Sequence, residues 1–158
     1  MIKKFSRWLL YKRLGWTADV NVELPQKCVI CLAPHTSNWD FVYSMLYGKA
    51  EGLKSNFLMK KEWFFWPLGP IFRKLGGIPV YRNKKSSMTD NLAETAMREK
   101  SFRLAITPEG TRKANPEWKR GFYYIALKAG IPILLYGLDF ERKLIYCHRS
   151  FVPAGDVE

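Results

Sequence analysis

Three short stretches of this 158-residue chain hold residue types that can do chemistry together. The first, Leu32–Phe41, reads LAPHTSNWDF and places Asp40 five residues after His35, one of only two histidines. An aspartate that accepts a hydrogen bond from one imidazole nitrogen fixes the tautomer and leaves the other nitrogen free to take a proton, which is an oriented general base. The same letters have a structural reading. Ser37 is a good helix N-cap, and Asp40 three residues later makes S-x-x-D, a variant of the capping box whose carboxylate also favours the positive helix end. The second stretch, Thr107–Arg112 (TPEGTR), sets Glu109 and Arg112 at the two ends of a Pro-Gly turn, most simply a salt-bridged surface turn. The third, Gly76–Arg82 (GGIPVYR), ends in Arg82, which alone would be one more surface cation.

The elements that must position these residues are legible around them. KCVICLA is a continuous apolar run bounded by Pro25 and Pro34, as expected of a strand buried on both faces, and His35 falls just past its end. SNWDFVYSMLYGKA reads as a helix with Gly52 shortly beyond it. SNFLMK and IPVY are strand candidates. Between them, EWFFWPLGPIFRKLGG is aromatic but broken by Pro67, Gly69 and Pro70, so it forms at most a kinked or split helix. SSMTDNLAETAMREK and GFYYIALKAG are helical, while FRLAIT, IPILLYGLDF and KLIYCHRSF read as strands. Strands alternating with helices predict a single α/β domain, with a largely parallel or mixed central sheet flanked by helices. The TPEGTR stretch then follows a strand as the histidine stretch does, and α/β folds build their sites at the carboxyl ends of strands.

Residues 1–16, MIKKFSRWLLYKRLGW, carry five bases and no acid and are expected to form an amphipathic amino-terminal helix, with residues 17–158 as the main domain. Ile2, Phe5, Leu9 and Trp16 share one face and Lys3, Lys4 and Arg7 the other, although Leu10 and Leu14 break the stripe. Such a helix is either a candidate membrane anchor or a helix packed on the domain through its apolar face.

Twenty-six Lys and Arg against fourteen Asp and Glu give a formal charge of +12, which suits an anionic partner. No RNA- or DNA-binding signature accompanies it, so nucleic acid is not the expected partner. Three cysteines, Cys28, Cys31 and Cys147, argue against a disulfide scaffold. Cys28 and Cys31 lie within one strand, so they should point to opposite faces, and a zinc site would need a second ligand pair. His148, beside Cys147 in a late strand, reads as a structural or surface residue. No apolar run approaches the roughly 20 residues needed to span a bilayer.

Taken in order, HTSNWD, GGIPVYR, PEGTR and GIPILLY resemble the four blocks of the glycerolipid acyltransferase family, of the lysophosphatidic acid (1-acyl-sn-glycerol-3-phosphate) acyltransferase type. The joining segments fit as well, so the resemblance covers roughly residues 27–138. The chain departs from the usual pattern at Pro34, Thr107 and Lys113, none of which is a catalytic group. The resemblance implies His35 as general base and Asp40 as its orienting partner. It implies Arg82 and Arg112 as holders of the acceptor's phosphate, with Glu109 positioning the acceptor or the arginine beside it. Gly110 and Thr111 complete that loop, and Pro132 would shape the acyl-donor side.

The implied reaction moves a fatty acyl group from a thioester, of acyl carrier protein or of coenzyme A, to a hydroxyl of a lysophospholipid or glycerol phosphate. A thioester is already activated, so no cofactor and no metal is expected. The expected setting is the cytoplasmic face of a membrane, where the enzyme is peripheral, with basic residues toward an anionic surface. The aromatic run Trp63–Phe72, between Lys60, Lys61, Arg73 and Lys74, reads either as an interface anchor or as a buried aromatic segment. Two alternatives stand beside this reading. One is acylation of a different lipid acceptor such as an N-acyl amino acid, whose carboxylate the arginines would also suit. The other is a non-catalytic basic module for lipid or nucleic acid.

Overall fold

The structure of the chain is a computed structural model, which describes residues 1–81, 83, 85–113 and 115–155. Lys27–Leu32 forms the central strand β2. Its Cys28 packs with Leu10, Tyr47, Leu134 and Cys147 on one face of the sheet, while Val29 and Cys31 pack with Leu92, Leu104, Ile125 and Ile133 on the other. Strand side chains alternate between faces, so an unbroken apolar run is what a strand covered on both sides requires. The two cysteines do point to opposite faces. Burial pushes the Cys28 thiol up to about 11 and the Cys31 thiol up to about 12, so both stay protonated at neutral pH.

Around β2 stand β1 (Thr17–Val20), β3 (Asn56–Lys60), β4 (Gly77–Val80), β5 (Phe102–Ile106), β6 (Ile133–Asp139) and β7 (Leu144–Phe151), in the order β1-β7-β6-β2-β5-β3-β4. β2 is parallel to both neighbours, with Val29 opposite Leu104 and Ile133, and β3 and β4 extend the parallel set. β7 returns antiparallel to β6 and pairs parallel with β1, so the sheet is mixed at one edge. α1 (Ile2–Arg7) and α2 (Asn38–Glu51) lie on one face. α4 (Lys85–Arg98) and α5 (Gly121–Ala129) lie on the other, and the short α3 (Leu68–Lys74) packs beside β4. The aromatic segment is indeed split, into a single turn at Lys61–Trp63 and α3. Among the described residues no helix is long and apolar enough to cross a membrane.

Two features were not read from the sequence. TADV forms the edge strand β1 although most of it is exposed, because its support is the backbone of β7: Thr17 N–H donates to Lys143 O at 2.8 Å. The amino-terminal helix continues in π-helical geometry through Trp8–Arg13 and docks through Ser6, Leu10 and Trp16. Leu10, which breaks the expected stripe, therefore packs in the core with Trp16 of that stripe, and Leu14 is partly buried beside them. Burying a leucine side chain contributes about 1.5–3 kcal/mol. Glu51, the last residue of α2, accepts hydrogen bonds from Tyr11 Oη at 2.6 Å and Arg7 Nη1 at 2.7 Å. Ile2, Phe5 and Trp8 remain exposed, so the helix has one docked and one free apolar side.

Candidate active site

Because five neighbouring strands are parallel, their carboxyl ends share one edge of the sheet. The His35 loop leaves β2 there, the Thr107–Arg112 turn leaves β5, Lys60 ends β3 and Lys61 follows it, and Phe140 follows β6.

His35 and Asp40 are brought together, and the helix cap is what does it. Ser37 caps α2, its Oγ accepting from Trp39 N–H at 3.2 Å, and the Asp40 carboxylate closes the capping box on the Ser37 N–H. The histidine–aspartate contact and the capping box suggested by the sequence are thus one structure. Asp40 Oδ2 accepts from Thr36 N–H at 2.6 Å and Ser37 N–H at 3.0 Å, and it meets His35 Nδ1 at 3.0 Å. The carboxylate is 1% exposed and the imidazole 19%. An ionised Asp40 requires the proton on Nδ1. Nε2 is then the acceptor nitrogen, and no described residue bonds to it. Asp40 Oδ1 is buried without a partner among the described residues. A carboxylate so placed stabilises an imidazolium formed during a reaction.

The turn after β5 is not the salt-bridged surface turn that its charges suggest. Glu109 is buried, and its Oε1 accepts the His35 backbone N–H at 3.3 Å, so it ties the second stretch to the first. Arg112 is exposed at the same edge, with no ion pair among the described residues. Thr111 Oγ1 accepts from Lys113 N–H at 3.2 Å. Gly110 adopts a positive φ of 63°, and the space a side chain would fill is taken by Lys119: a Cβ there would stand 2.5 Å from Lys119 Nζ. Lys119 N–H also donates to Pro108 O at 2.8 Å, so this lysine belongs to the turn. The sequence reading missed it. The available signal was a basic pair, Lys119-Arg120, at the entry to α5.

Arg82 lies outside the described residues. Pro132 is not brought to the site. Its carbonyl accepts Val29 N–H at 2.9 Å, at the opposite end of β2 from the histidine loop. Three residues of strand, roughly 10 Å at about 3.3 Å each, already separate Val29 from Leu32.

Beside the histidine loop runs an open groove of about 420 Å³ lined by Thr36, Ser37, Trp39, Tyr43 and Phe140. Its floor is braced by Trp16, which stacks on Tyr43 at 4.5 Å and meets Phe140 edge-on at 5.2 Å. His148 is on β7, exposed, with Nε2 2.9 Å from Asp19 Oδ2 of β1.

The Acyltransferase family model matches residues 19–135, which include both His35 and the Thr107–Arg112 turn. Human 1-acyl-sn-glycerol-3-phosphate acyltransferase beta is 29% identical over 109 residues, covering 63% of this chain and 38% of that protein. The chain thus spans well under half the length of this relative. The crystal structure of the 1-acyl-sn-glycerophosphate (LPA) acyltransferase PlsC from Thermotoga maritima superimposes with a TM-score of 0.62 at 17% identity, over 99% of this chain and 70% of that one. At that identity the likeness is one of fold.

Proposed function

Since the chain belongs to the Acyltransferase family, we propose that it transfers a fatty acyl group from an acyl thioester to a hydroxyl of a lysophospholipid or glycerol phosphate, with His35 as general base. The observation that carries this reading is the single oxygen, Asp40 Oδ2, that holds Nδ1 and two backbone N–H groups while Nε2 stays unblocked at the strand edge.

The acceptor hydroxyl gives its proton to His35 Nε2 as its oxygen bonds to the thioester carbonyl carbon. The tetrahedral oxyanion collapses, the carbon–sulfur bond breaks, and the leaving thiolate recovers the proton from the imidazolium. No covalent acyl-enzyme is needed, and Ser37 is a helix cap. A positioned base typically contributes about 10²–10⁴-fold. Holding the two substrates together supplies more. Arg112 and Lys119 face the anionic part of the acceptor, and guanidinium suits a phosphate through paired donors. The aromatic groove beside His35 takes an apolar chain. The donor is a thioester of acyl carrier protein or of coenzyme A, each drawn by the net positive charge. The protein works as a peripheral enzyme on the cytoplasmic face of a membrane, its positive charge toward anionic lipid.

The deciding experiment is acyl transfer from labelled acyl thioesters to glycerol 3-phosphate, lysophosphatidic acid and an N-acyl amino acid, with wild type beside His35→Ala. Product formed by wild type alone supports the mechanism and names the acceptor class. Equal product from both removes His35 as the base. No product with any pair leaves only a binding module.

A further inference from the structure

The segment joining β3 to β4 is a small built object. Phe64 and Phe72 pack their rings edge to face at 6.2 Å, and the Arg73 guanidinium sits 5.2 Å over Phe64. Gly69 N–H donates to Phe65 O at 2.6 Å, and a Cβ on Gly69 would stand 2.5 Å from Phe64 O, so only glycine fits under that carbonyl. Two aromatic rings are thus spent on holding the segment together. Four large apolar side chains face outward: Trp63, Phe65 and Ile71 are exposed, and Trp66 is 84% exposed. Around them lie exposed Lys60, Lys61, Arg73 and Lys74 against one acid, Glu62. Lys61 Nζ also lies 5.8 Å over the exposed Tyr81 ring, beyond the end of β4.

We propose that this aromatic knob, residues 60–74, seats the catalytic edge of the sheet on an anionic lipid surface. Large apolar side chains fixed outward in water mark a contact surface, and tryptophan flanked by lysine and arginine matches the headgroup boundary of an anionic bilayer. The knob leaves β3 at the same edge as His35 and Arg112. β3 lies two places from β2, roughly 10 Å at about 4.8 Å per strand. The free side of α1 is placed differently. Arg7 pairs with Glu51 at the end of α2, and α2 starts at the catalytic edge, so Ile2, Phe5 and Trp8 lie toward the far edge. A membrane held by the knob therefore meets the site directly, and a lipid acceptor reaches Arg112 without leaving the surface. The proposal rests on the lipid acceptor argued above, but its readout does not require turnover.

The test is sedimentation of the full chain with vesicles of phosphatidylglycerol and phosphatidylcholine, against phosphatidylcholine alone. Three variants accompany wild type: Trp63→Ser/Phe65→Ser/Trp66→Ser, the single Trp66→Ser, and Phe5→Ser/Trp8→Ser on α1. The triple variant is expected to lose vesicle partitioning by at least about tenfold, the single variant in the same direction, and the α1 variant by less than either. Binding by wild type should favour the anionic vesicles and weaken with salt. Turnover of the triple variant on a short-chain acceptor dissolved as monomers should be unchanged. Trp66→Ser removes a side chain with almost no packing, so it reads the surface even where the triple variant unfolds. Absence of wild-type binding to anionic vesicles overturns the proposal. So does equal binding by wild type and both knob variants. A knob variant that keeps vesicle binding but loses self-association, or loses binding to an acidic carrier protein, assigns the knob to that partner and also overturns it.

Discussion

Two histidine–aspartate pairs stand among the described residues at nearly equal distances, 3.0 Å for His35–Asp40 and 2.9 Å for His148–Asp19, and their surroundings differ. His148 and Asp19 are 48% and 57% exposed on the edge strand β1 and its neighbour β7, where water can replace either partner. Asp40 is enclosed, its Oδ2 is fixed by two backbone donors, and the loop carrying His35 is tied by Glu109 to the turn after β5. A pair like the outer one contributes little, since exposed ion pairs are worth about 0–1 kcal/mol. The inner pair has one allowed geometry. Chemistry is thus signalled by the restraint on the pair and by its place at the carboxyl ends of parallel strands, and only weakly by its length.

Substitutions can break this contrast, beginning with the largest effect. His35→Ala should lower kcat by about 10²–10⁴-fold with an unchanged circular dichroism spectrum; near-normal turnover would place the base elsewhere. Asp40→Asn should cost on the order of 10²-fold or more, because an amide can present N–H to Nδ1 and favour the wrong tautomer. Its thermal stability should fall only by a capping-sized amount, about 0.5–2 kcal/mol. A loss of stability that fully accounts for the lost activity would reduce Asp40 to a cap. Glu109→Ala should lower kcat by about 10–100-fold, the size of one charge-assisted hydrogen bond at about 1.5–3 kcal/mol, by freeing the His35 loop. An effect confined to acceptor KM would instead make Glu109 an acceptor contact. His148→Ala should leave kcat and KM unchanged and alter stability by no more than about 0.5 kcal/mol, read from urea melts. A measurable loss of turnover would show that the two pairs are coupled.

Much of this site is local in the chain, and that part could be read from the sequence. The cap, the histidine and its aspartate fall within six residues, Ser37 and Asp40 obey helix-start chemistry, and β2 and α2 follow from apolar runs and their punctuation. What could not be read depends on residues distant in sequence. Glu109 reaches His35 across 74 positions, so its burial could not be seen in the charge pattern of its own turn. TADV carries no apolar alternation and is a strand only because β7 offers a free edge. The docking side of the amino-terminal segment was read only in part: Trp16 of the expected stripe is buried, but the position of α2 and the sheet brings in Leu10 while Ile2 and Phe5 stay exposed. Pro132 stands in a suggestive block, yet strand register puts it at the other end of the sheet.

The strand order has one more consequence, for the making of the protein. β2 is flanked by β5 and β6, and both arrive later in the chain. A growing polypeptide can form the His35–Asp40 corner early, since it closes on itself. The corner then waits, open on both sides, until residue 106 and later residue 139 have been made. Such non-local pairings are slow and leave apolar strand edges uncovered meanwhile. The His35–Asp40 pair is therefore formed long before the strands that flank it. Activity should rise late and in one step as nascent chains of increasing length are released.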